Sequence, residues 1–288
     1  MKIVFHGANA LTFRDGLEPL LDSAHDIAEV PDDLSGDDAR AIYSAADIVI
    51  GIKLAPQMPV PEGLKLYQVP GAGYDGIDLA ALPRSAALCN CFGHENAIAE
   101  YVMSALLARH VPLTDADRRL RSGDWTYWAG GPTGLRTELG DTSIGILGYG
   151  HIGKTIALRA KAFGMGVTVA NRSPVSESDV VDNAFALSDL PAFMGSADAI
   201  INTLPLTEET RGLVGAAELA AMRPYAVILN VGRGAVIDEA ALFDALKAGR
   251  VGGAIIDTWY VYPSGENAHP LPARLPFHEL DNVTMTPH

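Results

Sequence analysis

Short apolar runs alternate along this chain with stretches whose apolar residues recur at helical spacing. Runs at 2–5, 47–50, 66–69 and 86–89 predict buried strands, with helical patterns at 17–22 and 37–44 between them. A longer helical pattern covers 97–109, where Asn96 stands in a capping position. Beyond it, strands are predicted at 144–147, 167–170, 199–202, 226–230, 253–257 and 283–285. A helix follows the first of these over 151–164; another spans 238–247, with Asp238 as N-cap and Gly249 as stop. This regular exchange of strand and helix is the pattern of an α/β fold with parallel sheets.

Length and charge narrow the picture. At 288 residues two domains are expected, and 48% apolar against 19% charged residues suits a protein with an ample core. The formal net charge of -14 argues against a nucleic acid or an anionic membrane as partner. No apolar run has the length of a membrane span, and the chain enters a strand pattern at once without a secretory leader, so a cytoplasmic protein is expected. Cys89 and Cys91 flank Asn90 and share one face of a strand; they read as small packed thiols, not as a metal pair. The segment 122–134 holds Trp125, Tyr127 and Trp128, too aromatic for a linker, and reads equally as an interface arm or a core-packed loop.

The strand at 144–147 runs into Gly148-Tyr149-Gly150-His151-Ile152-Gly153, and the next helix opens there. Strand, glycine turn and helix together make a pyrophosphate site. The first glycine permits the turn, the second lets backbone approach phosphate, and the third lets helix and strand pack closely. Helix N-terminal amides then favour the anion. The following strand ends in Asn171-Arg172-Ser173, where an acid would normally accept the ribose hydroxyls. With the acid absent and a guanidinium and a hydroxyl present, NADP is favoured over NAD.

Three further segments follow strand ends. One begins Thr203-Leu204-Pro205, the second is Asn230-Val231-Gly232-Arg233-Gly234, and the last is Thr286-Pro287-His288. Together with Gly71-Ala72-Gly73-Tyr74-Asp75-Gly76-Ile77-Asp78 and Ala99-Glu100, they make the chain resemble the D-isomer-specific 2-hydroxyacid dehydrogenases. The resemblance implies two Rossmann-like domains with parallel sheets. A flavodoxin-like substrate domain would cover 1–95 and an NAD(P)-binding domain 96–288, which explains a glycine fingerprint in mid-chain. It implies that Arg233 clamps the carboxylate of a small anionic 2-keto or 2-hydroxy acid and that His288 exchanges a proton with the carbonyl oxygen. Glycines 232 and 234 suggest a backbone shaped around a ligand. Amides at Ala72 and Gly73 would bind the carboxylate, with Lys53 and His94 as further substrate contacts, and Asp257 would face the nicotinamide ring. Val231, Gly232 and Thr203 to Pro205 would border the cofactor. A homodimer is the family expectation, and no metal is called for.

The sequence also departs from that family. A Glu–Pro pair usually follows the aspartate and supplies a Glu that keeps the catalytic imidazole protonated. Here the positions hold Tyr262 and Pro263, which predicts a histidine titrating near its ordinary value or below. Glu266 and His269 are the nearby residues that could stand in. The formate dehydrogenase branch carries Gln at this place, so formate or phosphite oxidation is an alternative, although that branch has Asn where this chain has His94. A dinucleotide-sensing, corepressor-like binding module is the alternative outside enzymes. Family chains continue past the histidine into a helix that returns to the substrate domain, so this closing element is expected to be missing from the sequence ending at His288.

Overall fold

The computed structural model describes residues 1–131, 137–263 and 267–288. The chain divides into two compact units, Met1–Gly93 and His94–His288. No described helix is long and apolar enough to cross a membrane.

The first unit holds a five-stranded, fully parallel sheet. Its strands are β1 (Lys2–His6), β2 (Asp26–Val30), β3 (Ile48–Gly51), β4 (Leu66–Gln68) and β5 (Ala87–Cys89), in the order β2-β1-β3-β4-β5. Helices α1 (Gly7–Leu11), α2 (Arg14–Leu17) and α3 (Asp37–Ser44) complete it. The core gathers Val4, Tyr43, Val49, Leu54, Leu64 and Tyr67. The helical pattern at 17–22 resolves differently: α2 begins at Arg14, and Glu18–Leu20 continues as a single 3-10 turn. The packed-thiol expectation also fails, because Cys89 and Cys91 are both exposed. Strand β5 lies at the sheet edge and ends at Cys89, so Cys91 already belongs to the following loop.

In the second unit seven parallel strands follow the order β12-β11-β10-β9-β6-β7-β8. They are β6 (Ser143–Leu147), β7 (Gly166–Asn171), β8 (Asn183–Ala186), β9 (Ala199–Asn202), β10 (Val227–Asn230), β11 (Gly253–Ile256) and β12 (Val283–Met285). The helices are α4 (Glu95–His110), α5 (Leu113–Arg121), α6 (His151–Ala162), α7 (Leu190–Met194), α8 (Ala216–Ala221) and α9 (Glu239–Lys247). Side chains alternate across the strands and so divide the core. Ile144, Ile146, Ile201, Leu229 and Ile255 pack with α4 and α6 on one face. Ile200, Ile228, Ala254 and Ile256 pack with α7, α8 and α9 on the other.

Helix α9 starts and stops as its sequence predicts. The Asp238 carboxylate accepts the Ala241 N–H at 2.8 Å, and Gly249 follows at φ +64°. The start of α4 does not. It begins at Glu95 after His94 with no side-chain cap, and the Asn96 carboxamide instead accepts Arg159 Nη2 at 3.0 Å. Trp125 and Trp128 are 65% and 60% exposed, which removes the core-packed reading of that loop within the unit; positions 132–134 lie outside the described residues.

Candidate functional site

In an open parallel sheet, ligands gather outside the carboxyl ends of the strands where the winding reverses. In the second sheet that reversal lies between β6 and β9. The glycine turn leaves the end of β6, and Thr203 leaves the end of β9. The Thr203 hydroxyl donates to the Gly148 carbonyl at 2.8 Å, tying the two loops together.

Each glycine does a different job. Gly148 takes φ +97°, and a Cβ there would lie 2.8 Å from Thr203 Oγ1. A Cβ on Gly153 would come within 2.2 Å of the Gly148 carbonyl oxygen, so this glycine sets how closely α6 approaches β6. Gly150 is exposed, and a Cβ built on it meets nothing within 4 Å. It also precedes α6, whose first turn has no side-chain cap. Open backbone at an uncapped helix start fits a pyrophosphate. His151 and Ile152 open the helix itself, with His151 exposed.

Asn171 has a role that its place in the sequence does not announce. Its Oδ1 accepts the Tyr149 N–H at 3.1 Å, and its Nδ2 donates to the Ser173 carbonyl at 3.0 Å. It therefore braces the glycine turn, leaving Arg172 and Ser173 exposed beyond β7. Arg172 lies close enough to Glu209 for its charge to help lower that carboxyl, second to the hydrogen bonds made by Thr207 and the backbone. Glu209 was not expected at this site; nothing in the spacing of the two segments signals the approach.

Buried asparagines end β9 and β10. Asn202 Nδ2 donates to Asn230 Oδ1 at 2.8 Å, while Asn202 Oδ1 accepts the Leu204 N–H. Asn230 Oδ1 also accepts the Gly232 N–H, and its Nδ2 donates to the Arg233 carbonyl. The loops carrying Thr203-Leu204-Pro205 and Val231-Gly232-Arg233 are thus shaped by one amide pair. A polar residue closing an apolar run, as in Ile201-Asn202 and Leu229-Asn230, is the sequence signal for it. The neighbouring glycines prove to serve packing: a Cβ on Gly232 would meet the Leu204 carbonyl at 2.6 Å, and one on Gly234 the Trp259 carbonyl at 2.3 Å. Close protein neighbours are by themselves enough to require glycine at both positions.

Arg233, half-buried after β10, lies near His288 after β12; together with partial burial its charge holds the imidazole below the usual histidine value, and Asp257 opposes this. Tyr262 takes the partner position. Its hydroxyl lies 3.1 Å from His288 Nδ1 and accepts the Trp259 N–H at 2.9 Å. A carboxylate here would only accept, whereas a phenol can accept from Nδ1 or donate to it. His269 is exposed, and Glu266 lies outside the described residues. Asp257 follows β11 and receives the Thr286 hydroxyl on Oδ1 at 2.6 Å. Tyr101 from α4 meets the same hydroxyl at 2.7 Å, and the Trp259 indole N–H holds the Thr286 carbonyl. Sequence reasoning does not single out Tyr101 or Trp259, because aromatic residues in apolar stretches read as core, and it quotes Thr286 only as a neighbour of His288.

The remaining candidates lie at the carboxyl side of the first unit, apart from His94, which is half-buried before α4. In the loop following β4, the Asn90 carboxamide donates to the Ala72 carbonyl at 2.9 Å. Among the described residues neither the Ala72 nor the Gly73 N–H has an acceptor in the protein, as a carboxylate-binding loop requires. Lys53 is exposed at a cavity of about 590 Å³ that Asp32, Asp75 and Asp78 also line, so its charge stands among acids. No His, Cys, Asp and Glu cluster suited to a metal ion occurs among the described residues.

Comparison with known proteins places the chain in a family. The chain is 33% identical over 229 residues to a D-3-phosphoglycerate dehydrogenase of Archaeoglobus fulgidus, covering 79% of this chain and 41% of that protein. It is 33% identical over 258 residues to glyoxylate/hydroxypyruvate reductase B of Citrobacter koseri, covering 87% and 76%. The chain thus spans less than half of the first relative and about three-quarters of the second. A solved acyclic imino acid reductase, in complex with NADPH and D-Arg, superposes with a TM-score of 0.77 at 27% identity over 100% of this chain and 89% of that one. The NAD-binding domain profile of the D-isomer specific 2-hydroxyacid dehydrogenases matches residues 103–288, and the chain belongs to that family.

Proposed function

We propose that this protein is an NADP-preferring oxidoreductase that reduces a small 2-keto acid of the size of glyoxylate or hydroxypyruvate, acting as a cytoplasmic homodimer. The observation that carries the reading is the meeting of Arg233, Asp257 and His288 outside β10, β11 and β12, in the same sheet as the glycine turn. Residues 1–95 serve the substrate and 96–288 the cofactor. The fingerprint glycines hold the pyrophosphate, Arg172 and Ser173 the 2′-phosphate, and the loops at Thr203 and Val231 border the nicotinamide end. When bound, the dinucleotide supplies a hydride to the substrate C2.

Arg233 anchors the carboxylate and polarises the adjacent carbonyl, and the first unit by itself offers the N–H groups of Ala72 and Gly73 for a carboxylate. His288 gives its proton to the carbonyl oxygen. Because its pKa is held below the ordinary 6.5, the protonated fraction is full only at acid pH and falls as pH rises through that lower value. Reduction is therefore fastest on the acid side. Oxidation of the hydroxy acid, which needs the neutral imidazole, gains as pH rises.

The test is NADPH and NADH consumption with glyoxylate and hydroxypyruvate at about pH 6. Arg172→Ala should raise KM for NADPH about tenfold, the loss of one charge-assisted contact, and leave NADH unchanged. No turnover with either cofactor would overturn the reading. For the dimer, sedimentation should give twice the chain mass.

One observation favours a second reading. With a phenol instead of a carboxylate beside His288, the imidazole is poorly suited to remain charged at neutral pH. A protonated imine needs no proton from the protein, and it accepts hydride to give an amine directly. The imino acid reductase among the structural neighbours makes this acceptor class a fair trial. Glyoxylate with added methylamine at about pH 8 should then react faster than glyoxylate alone.

A further inference from the structure

Tyr101 and Thr286 form a hydroxyl chain that ends on Asp257. The Thr286 hydroxyl has one proton and lies 2.6 Å from Asp257 Oδ1, which can only accept. Its contact with Tyr101 at 2.7 Å must then be one in which the phenol donates. Tyr101 is suited to that. Partial burial above all, and the charge of Asp257, raise its phenol, while the Thr286 bond opposes them, so it keeps its proton across the neutral range.

The order of bonds is therefore Tyr101 O–H to Thr286 oxygen, and Thr286 O–H to carboxylate. The main chain of Thr286 is fixed as well, its carbonyl by the Trp259 indole at 2.7 Å and its N–H by the Ile256 carbonyl at 3.0 Å. Thr286 stands two residues before His288. One threonine thus fixes both the orientation of the carboxylate and the chain that presents the imidazole.

The charged and titratable groups facing His288 are Tyr262 beyond β11, Arg233 after β10 and Asp257 at the end of β11. Of these, Asp257 is the carboxylate whose charge favours the imidazolium. With the Tyr262 phenol beside Nδ1, where a carboxylate would bring a charge, the imidazole depends on that acid. We propose that Tyr101 and Thr286 are positioning residues: their hydroxyl chain aims Asp257 at His288 and so sustains the proton that the reduction uses. This rests on His288 being the proton donor of the proposed function.

The test compares wild type with Tyr101→Phe, Thr286→Val and Thr286→Ser. The chain has 8 histidines, so the His288 ring signal is assigned by its loss in His288→Gln and titrated by proton NMR. Tyr101→Phe and Thr286→Val should each move the His288 midpoint to lower pH by roughly 0.3–0.5 unit, a modest change in one charge contact. Thr286→Ser, which keeps the hydroxyl, should return it to the wild-type value. In parallel, the alkaline fall of kcat/KM for glyoxylate should move by the same amount, with KM for NADPH unchanged.

A midpoint that stays fixed in both variants overturns the proposal. So does one that moves in Thr286→Ser as much as in Thr286→Val, or a loss of rate with an unmoved pH profile. If the wild type reduces no keto acid, the proposed function fails on its own, and the NMR titration still decides whether the hydroxyl chain acts on His288.

Discussion

Asn202 and Asn230 show how much of this site is decided by residues that need touch no ligand. Both side chains are buried at strand ends, and their amide bond leaves the polar groups of two loops satisfied. Asn230→Ala would strand the Gly232 N–H and the Asn202 carboxamide. We expect a cost of about 1–3 kcal/mol, measured by denaturant unfolding, with a disproportionate loss of kcat as Arg233 moves. Arg233→Ala should reduce kcat/KM by roughly 10²–10³-fold without loss of Tm. His6 makes a separate prediction. It is 1% exposed at the end of β1, with no hydrogen-bond partner for Nδ1 among the described residues, and burial, its largest influence, pushes its pKa below 6.5. The unfolded chain then takes up a proton that the fold refuses, so stability is full above about pH 6.5 and declines below it. His6→Phe should flatten the acid side of the Tm profile, and an unchanged slope would contradict this account.

Residues such as Arg233 and His288 are legible in the sequence because each follows an apolar run that has to be a strand. Tyr101 and Thr286 are not. They stand 185 positions apart, and neither departs from what an apolar helix or a strand end would hold.

Among the elements, the glycine turn offers the sharpest separation of folding from binding. Gly150→Ala has open space to enter and should leave Tm nearly unchanged while weakening dinucleotide binding at least tenfold by fluorescence titration, because backbone must approach phosphate there. Gly153→Ala has none. Its methyl would collide with the Gly148 carbonyl, costing about 1–3 kcal/mol through displacement of α6, and Tm should fall with or without cofactor. The opposite pattern for the two variants would show that their jobs have been exchanged.

Fully buried strands were the easy part of the fold. β9, β10 and β11 are buried at every position and read as plain apolar runs. β2 and β8 are hard to read because they are edge strands with few buried positions, and β2 also carries Asp26 and Glu29. Helix α5 is hidden for the same reason: it has no buried residue. Ion pairs from Arg118 and Arg119 to Asp115, and from Arg121 to Asp117, support it instead. An apolar stripe cannot reveal a helix that has none.

Across the whole chain, the two sheets share one winding plan. In each, the first strand lies inside with the second paired on one side of it; the strand on its other side is the third in the first sheet, β3, and the fourth in the second, β9. Each unit consequently has its own reversal point, at the end of β1 in one and of β6 in the other. In the second unit the glycine turn stands there. In the first, His6 and Gly51 lie paired in register across the reversal, with a Cβ on Gly51 meeting the histidine ring at 3.4 Å. Sequence comparison within the chain does not reveal this shared plan, since parallel pairing constrains apolar character more than identity.

The amino ends of the second sheet carry a different kind of construction. Asp198 accepts the Ser143 N–H at 2.8 Å, and Arg223 Nη1 meets its other oxygen at 2.6 Å. Burial pushes this carboxyl up, but its bonds to Ser143 and Arg223 prevail and hold it low. All seven strands run the same way, so this clamp and the proposed chemistry occupy opposite rims of one sheet. That polarity separates two kinds of inheritance. The carboxyl rim can be rewritten for a new substrate while the amino rim keeps the chain folded, and a lineage that altered Asp198 would lose its margin for such experiments before it lost its activity.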